Sequence, residues 1–267
     1  MLILSSSLTI VLLFLLSLLM PVMSFTLPIY KIKKMKNFSN KEKIIINVLV
    51  MGIISLINPL LLFFYIGFFL IIEFFYQLFN IKFYQVKKFD RIVIISIIVT
   101  LFMGLLLFLI KDEINNNINL LMEVYEKNLH LNKAESLEIF NGIKDSFLYY
   151  IFIYSILNIF MMYISLDLDD YSNWKISFEW LLIYIIGYFL IHLFKIDNFY
   201  INNIFDIGES IFIFFGIKTF YSILSSKIKY KGINNMLAVM IALLFPFGTF
   251  ILGVLGGFGI DKYIKSN

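Results

Sequence analysis

The chain has 267 residues, of which 61% are hydrophobic and only 15% charged, with a formal net charge of +4 and a mean hydropathy of +0.90. A soluble domain is nearer half apolar and a quarter charged, and the excess is too large for one buried core, because a folded chain must still cover its surface with polar groups. The absence of cysteine excludes disulfides, thiolate nucleophiles and thiolate metal sites, and the lysines, lying in short loops between apolar runs, report topology and not nucleic-acid binding.

Residues 8–20, 60–72, 92–110 and 236–260 carry no charge. Runs of roughly 18 or more such residues predict spanning helices, and these lack the strict alternation of a lipid-facing barrel strand. The first span covers about 4–25 and is read as a retained helix, because 1–7 has no basic residue and no small-residue cleavage site follows Met20. A basic loop follows, with Lys31, Lys33, Lys34, Lys36, Lys41 and Lys43. The next apolar stretch, 44–79, is about 54 Å of helix at 1.5 Å per residue, far more than the ~30 Å of a hydrocarbon core. Asn58-Pro59 lies near its middle, and a residue before proline is biased away from helix. A second basic loop (Lys82, Lys87, Lys88, Arg91) then requires an even number of crossings if both loops face the cytoplasm. Two spans turning at Asn58-Pro59 satisfy both arguments.

The fourth span, 92–110, leads to the one sizeable polar stretch, 111–146, with seven acids against four lysines. It predicts two amphipathic helices. Ile114, Ile118, Leu121 and Tyr125 share one face, and Asn132 with Glu135 is a capping-box start for the second. The remaining spans are expected at about 147–166, 180–194, 203–226 and 236–258, with Lys227, Lys229 and Lys231 in a cytoplasmic loop and Pro246 able to break the last span into a re-entrant pair. The fold class expected is therefore all-α, a multi-pass transmembrane bundle of about eight spans with a short amphipathic helical insertion between spans four and five. Its parts are a membrane half at 1–110, the insertion at 111–146 and a second membrane half at 147–267, with both ends external.

In the seventh span Asn202, Asn203, Asp206 and Glu209 offer one polar face, Asp206 and Glu209 lying within roughly 40° of Asn202 at 100° per residue. An acid at a helix centre costs ~2.5–3.5 kcal/mol on insertion scales, so Glu209 is expected to face protein or a water-filled cavity. That face is read either as the wall of a polar pocket or as a structural face pairing with other helices. Lys218 points about 160° away from it, at a depth compatible with Glu73 in the third span, which suggests an intramembrane Glu73–Lys218 ion pair. Gly216, Ala238, Ala242, Gly253 and Gly257 are the small residues expected to admit close helix packing, Gly253 and Gly257 as GxxxG. Asn158 is expected to bond between helices, and Trp174 and Trp180 to anchor at an interface. His130 and His192 are far apart in sequence and no motif resembles a zincin, P-loop or nucleophile elbow, so no enzyme, cofactor or metal site is predicted. Asp167, Asp169 and Asp170 read as a solvated acidic loop.

The run NWKISFEWLLIYIIGYFL (173–190), then INNIFDIGESIFIFFGIKTFYSIL (201–224), then LAVMIALLFPFGTFILGVLGGFGIDKYIK (237–265), resembles the YybS-like family of bacterial membrane proteins. Asn203 with Gly216, and Pro246, Gly257, Asp261 and Lys262, match its pattern, and LPIY (27–30) and NPLLLFF (58–64) fit loosely. The basic start and arginine-rich end typical of the family are missing. The resemblance implies a multi-pass protein of the bacterial plasma membrane with unresolved activity, consistent with an Ile-, Lys- and Asn-rich composition holding three alanines. That family is in turn distantly similar to the substrate-binding S components of energy-coupling-factor transporters. Two readings follow: a transport-associated protein whose partners are the lipid bilayer, a small-molecule ligand and other membrane subunits, or a non-catalytic scaffold acting through helix contacts. The first span, without alanine, departs from the S-component docking pattern.

Overall fold

The computed structural model describes residues 2–111, 127, 132–167 and 170–259, and among these every regular element is helical. Among the described residues, five helices are long and apolar enough to cross a membrane: α1 (Leu2–Leu19), the helix Pro59–Ile81, the helix Lys88–Leu109, the helix Phe147–Leu166 and the helix Phe199–Lys227. A bent pair, Lys231–Leu244 with Pro246–Gly257, raises the number to six if counted as one span. The protein is thus a helical membrane protein.

The breaks between elements follow local chemistry. After α1 come α2 (Thr26–Met35) and α3 (Asn40–Ile57). Ser39 caps α3 through a reciprocal box, its hydroxyl accepting from the Glu42 amide at 3.4 Å while Glu42 accepts from the Ser39 amide at 2.8 Å. Asn58 is extended, at φ −163° and ψ 124°, and its side chain accepts from the Leu60 amide at 2.8 Å. Pro59 then opens α4 (Pro59–Ile81) at the first position, where its missing N–H costs nothing. The expected break at Asn58-Pro59 is present. Inside α4, Ile66–Leu70 forms a single π turn.

Next are α5 (Lys88–Leu109), α6 (Lys133–Asp145) and α7 (Phe147–Leu166). The Asn132–Glu135 capping box is formed in both directions, each bond 2.9 Å long. The expected helix through Ile114, Ile118, Leu121 and Tyr125 lies outside the described residues. The last four helices are α8 (Leu181–His192), α9 (Phe199–Lys227), α10 (Lys231–Leu244) and α11 (Pro246–Gly257). With 12 residues, α8 is only about 18 Å long, short of a bilayer core. The run expected as one span at 236–258 is two helices, bent by 118° at Phe245-Pro246, where proline cannot continue the preceding helix.

The chain divides into two compact units. Unit one comprises Met1–Val86, Arg91–Met103 and Tyr154–Asp170; unit two comprises Lys87–Asp90, Gly104–Ile153 and Tyr171–Asn267. The core of unit one gathers Ile10, Val11 and Phe14 of α1, Ile46, Val50 and Ile54 of α3, and Tyr65 and Phe69 of α4. Phe14 meets Tyr65 and Phe69 edge-on at 5.4 and 5.7 Å, a favoured geometry for aromatic quadrupoles. In unit two α9 is the central helix, packing against α8, α10 and α11.

Candidate functional site

Unit one contains a charge pair inside its core. Lys31 is 1% exposed and Glu73 7%, and their charged ends meet at 2.5 Å. The Lys31 ammonium also donates to the Tyr65 hydroxyl at 3.1 Å and lies 5.4 Å from that ring's centre. Glu73 accepts a further, longer bond from Gln77 at 3.4 Å. The carboxylate expected to pair with Lys218 is therefore taken by Lys31. Depth along a helix fixes one coordinate only, and α2 brings its own cation to Glu73. The signal was present in the sequence: Leu27, Lys31 and Met35 form an i, i+4, i+8 stripe, so Lys31 interrupts a buried face.

Two more polar groups hold unit one together. Ser24 donates to the Asn158 carbonyl oxygen, and Asn158 donates to the Tyr154 carbonyl at 2.7 Å, so Asn158 links separate segments as expected. Arg91 folds the basic loop over itself, bonding the carbonyls of Val86 and Tyr84 at 2.8 and 2.5 Å and the Asn80 side chain at 3.1 Å.

The polar face of α9 in unit two is not uniform. Asn203 is buried and acts as a latch, accepting from the Tyr149 amide at 2.8 Å and donating to the Asp145 and Phe199 carbonyls at 2.6 and 2.7 Å. It thereby satisfies backbone groups at the α6–α7 junction that have no partner within their own helices. Asn202 bonds Asp197 at 2.7 Å on the exposed side. Asp206 and Glu209 are half-buried, electrostatically coupled to each other and to Tyr149.

Glycines set the contact of α9 with α11. A Cβ on Gly253 would lie 1.9 Å from the Phe212 carbonyl oxygen, one on Gly216 2.1 Å from the Thr249 carbonyl oxygen, and one on Gly256 2.2 Å from the Thr219 hydroxyl. Gly257, grouped with Gly253 by its spacing, has room for a Cβ, with Ile176 at 3.5 Å. Gly256 takes its place because the partner helix, not the period, decides which small residue is pressed. Ala238 and Ala242 are buried in α10.

Beside this seam lies a cavity of about 420 Å³. Its walls are Phe215 and Lys218 of α9, the glycine-rich end of α11 from Gly256 to Gly259, the segment Ser172–Ile176, and Lys87 just before α5. Lys218 is 3% exposed, its ammonium 5.0 Å from the centre of the Phe215 ring. Lys87 donates to the Ile176 carbonyl at 3.2 Å. Asp90 holds the following segment, accepting from the Ser177 amide at 2.8 Å, the Ser177 hydroxyl at 2.5 Å and the Trp180 indole at 3.0 Å. Trp174 is buried against Tyr171, and so sits within protein and not at a lipid interface. Sequence reasoning singled out Lys218 and Gly257, read Lys87 as a charge of the basic loop and passed over Lys175.

Among the described residues no group of three or more His, Asp or Glu side chains is placed to hold a metal. Asp169 lies outside those residues. Comparison with known families, with characterised proteins and with solved structures finds no match for this chain.

Proposed function

We propose that this is a small-molecule-binding protein of a bacterial plasma membrane, of the YybS-like kind and associated with transport as S components are. One observation carries the reading: unit two has a cavity of about 420 Å³ walled by aromatic, glycine and lysine residues. That volume falls within the roughly 300–1,000 Å³ of ligand pockets, which combine apolar walls with a few polar groups. The topology that accompanies this reading has about eight crossings, with α3 and α4 as a hairpin and the basic loops on the cytoplasmic side. The 111–146 insertion is then external, and other membrane subunits are partners. The scaffold alternative draws less support, because the small residues Gly216 and Gly253 are filled by packing within unit two.

The test is native mass spectrometry of the full chain purified in mild detergent. A small molecule retained by the wild type and absent from Asn173→Trp, which narrows the cavity from an exposed position, is the expected result. Equal retention by both, or none by either, overturns the reading.

A further inference from the structure

The contacts of α9 fix which end of unit two holds the cavity. At the start of α9, Phe147 of α7 meets Phe199 with ring centres 5.1 Å apart, and Asn203 bonds Asp145 and Tyr149. The 111–146 insertion therefore leads to this end. Helix α8 runs against α9, since a Cβ on Gly187 would meet Phe205 and one on Gly208 would meet Tyr184. The segment before α8 is thus carried to the later half of α9, where Tyr171 stacks on Tyr221 at 4.1 Å. The start of α5 arrives there too, with Phe89 meeting Phe215 at 5.0 Å. The bent pair returns to the same end. Asn234, in the first turn of α10, donates to the Ile228 carbonyl just past α9 at 2.9 Å. Along α11, Gly253 presses on Phe212 and Gly256 on Thr219, so α11 heads back toward the end where α10 began. Every described wall of the cavity lies at this end: Lys87, Ser172–Ile176, Phe215, Lys218 and the close of α11.

The same end carries the denser basic loops. Four Lys or Arg residues fall in 82–91 and three in 227–231, against four spread over 111–146 and one in 193–198. Lysine and arginine in short loops mark the cytoplasmic side, and acids count for little. The exposed walls of the cavity are Lys87, Asn173, Lys175 and Phe258, three polar side chains and one ring, a rim that suits entry from water more than from lipid. We propose that the cavity opens on the cytoplasmic face of the membrane and takes a water-borne solute from the cytoplasm. The close of α11 then lies on that side as well, and not externally as expected for the last span. The inference rests on the cavity being the binding site, as read above.

The chain has no cysteine, so Asn173→Cys and Lys175→Cys, both at exposed rim positions, each introduce a single thiol. Asn141→Cys, exposed on α6, marks the opposite end. The full chain is produced in bacterial cells, and a membrane-impermeant maleimide is applied either to spheroplasts or to inside-out vesicles. The two rim variants should be labelled in inside-out vesicles and not in spheroplasts, and Asn141→Cys the reverse. Labelling of either rim variant in spheroplasts overturns the proposal. So does labelling in neither preparation by a thiol that reacts once detergent unfolds the chain, because the rim is then closed to both faces. Labelling of the rim and of Asn141→Cys from one side also overturns it. Native mass spectrometry of the wild type and Asn173→Trp separates this claim from the one beneath it. A molecule retained only by the wild type, with the rim labelled from outside, removes the cytoplasmic side and leaves binding standing. Rim labelling from inside, with no molecule retained, removes binding and with it the cytoplasmic solute.

Discussion

Lys31 and Lys218 are buried to nearly the same degree, 1% and 3% exposed, yet the space around them differs. Moving an ammonium out of water costs several kcal/mol unless something answers it. In unit one the answer is internal: Glu73 supplies the countercharge, Tyr65 a hydroxyl, and the surroundings are a packed apolar core. In unit two the lysine borders open volume shared with two further lysines. Burial alone therefore says little about function. The two lysines differ in whether the space beside them is filled, by a packed core around Lys31 and by a cavity beside Lys218.

The largest expected effect breaks the closed pair. Lys31→Met leaves Glu73 buried without its cation and should destabilise the protein by about 3–5 kcal/mol, whereas Lys31→Met with Glu73→Met should recover most of that loss. Unfolding in mixed micelles measures it, and additive losses would show that the two groups do not act as a pair. The glycine seam comes next. Gly253→Ala forces a backbone contact apart and should cost about 1–3 kcal/mol. Gly257→Ala, at the cavity edge, should stay within about 0.5 kcal/mol.

Asn203→Ala tests whether that residue is a latch or a pocket wall. Its loss strands a Tyr149 amide and should cost about 1–3 kcal/mol, while ligand retention by unit two remains unchanged. The smallest effect is at the exposed start of α3, outside the apolar spans. The Ser39 backbone amide, and then its hydroxyl, hold the Glu42 carboxyl below its usual range. A depressed folded pKa means that the cap's contribution is present above the unfolded value of 4.5 and is lost as pH falls below it, through the folded value. The protection of the Glu42 and Lys43 amides, after correction for the intrinsic slowing of exchange in acid, should fall on acidification in the wild type, and by less in Glu42→Gln.

What could be read from the sequence was mainly local. Asn58-Pro59 and Asn132–Glu135 announce their breaks and caps because proline sterics and capping act within a few residues. The class of fold was legible from uncharged runs for the same reason. Span count was less so: α8 stops at His192, and the final run bends by 118°, features that hydropathy averages away. Partners were the hardest. The depth of Glu73 was readable, but the cation beside it depends on how α2 packs, and the glycine pressed by α9 is Gly256 because Thr219 lies opposite. The lysines of the cavity come from three separate stretches of chain, and no short window contains them.

The π turn at Ile66–Leu70 has a bearing on the closed pair. Tyr65 and Glu73 both meet Lys31 although eight positions separate them, a spacing that an unbroken α-helix would rotate apart by about 80°. One π turn of about 4.4 residues and one α turn of about 3.6 together take up eight, bringing hydroxyl and carboxylate into phase. Deleting a single apolar residue between 66 and 70 would leave seven positions between them, which an unbroken α-helix turns through about 700°, only about 20° from in phase, so the deletion should abolish the π turn and keep Glu73 beside its cation. The π turn thus absorbs one extra residue without disturbing the pair, and a one-codon deletion in that stretch should be far less damaging than the loss of Lys31 itself.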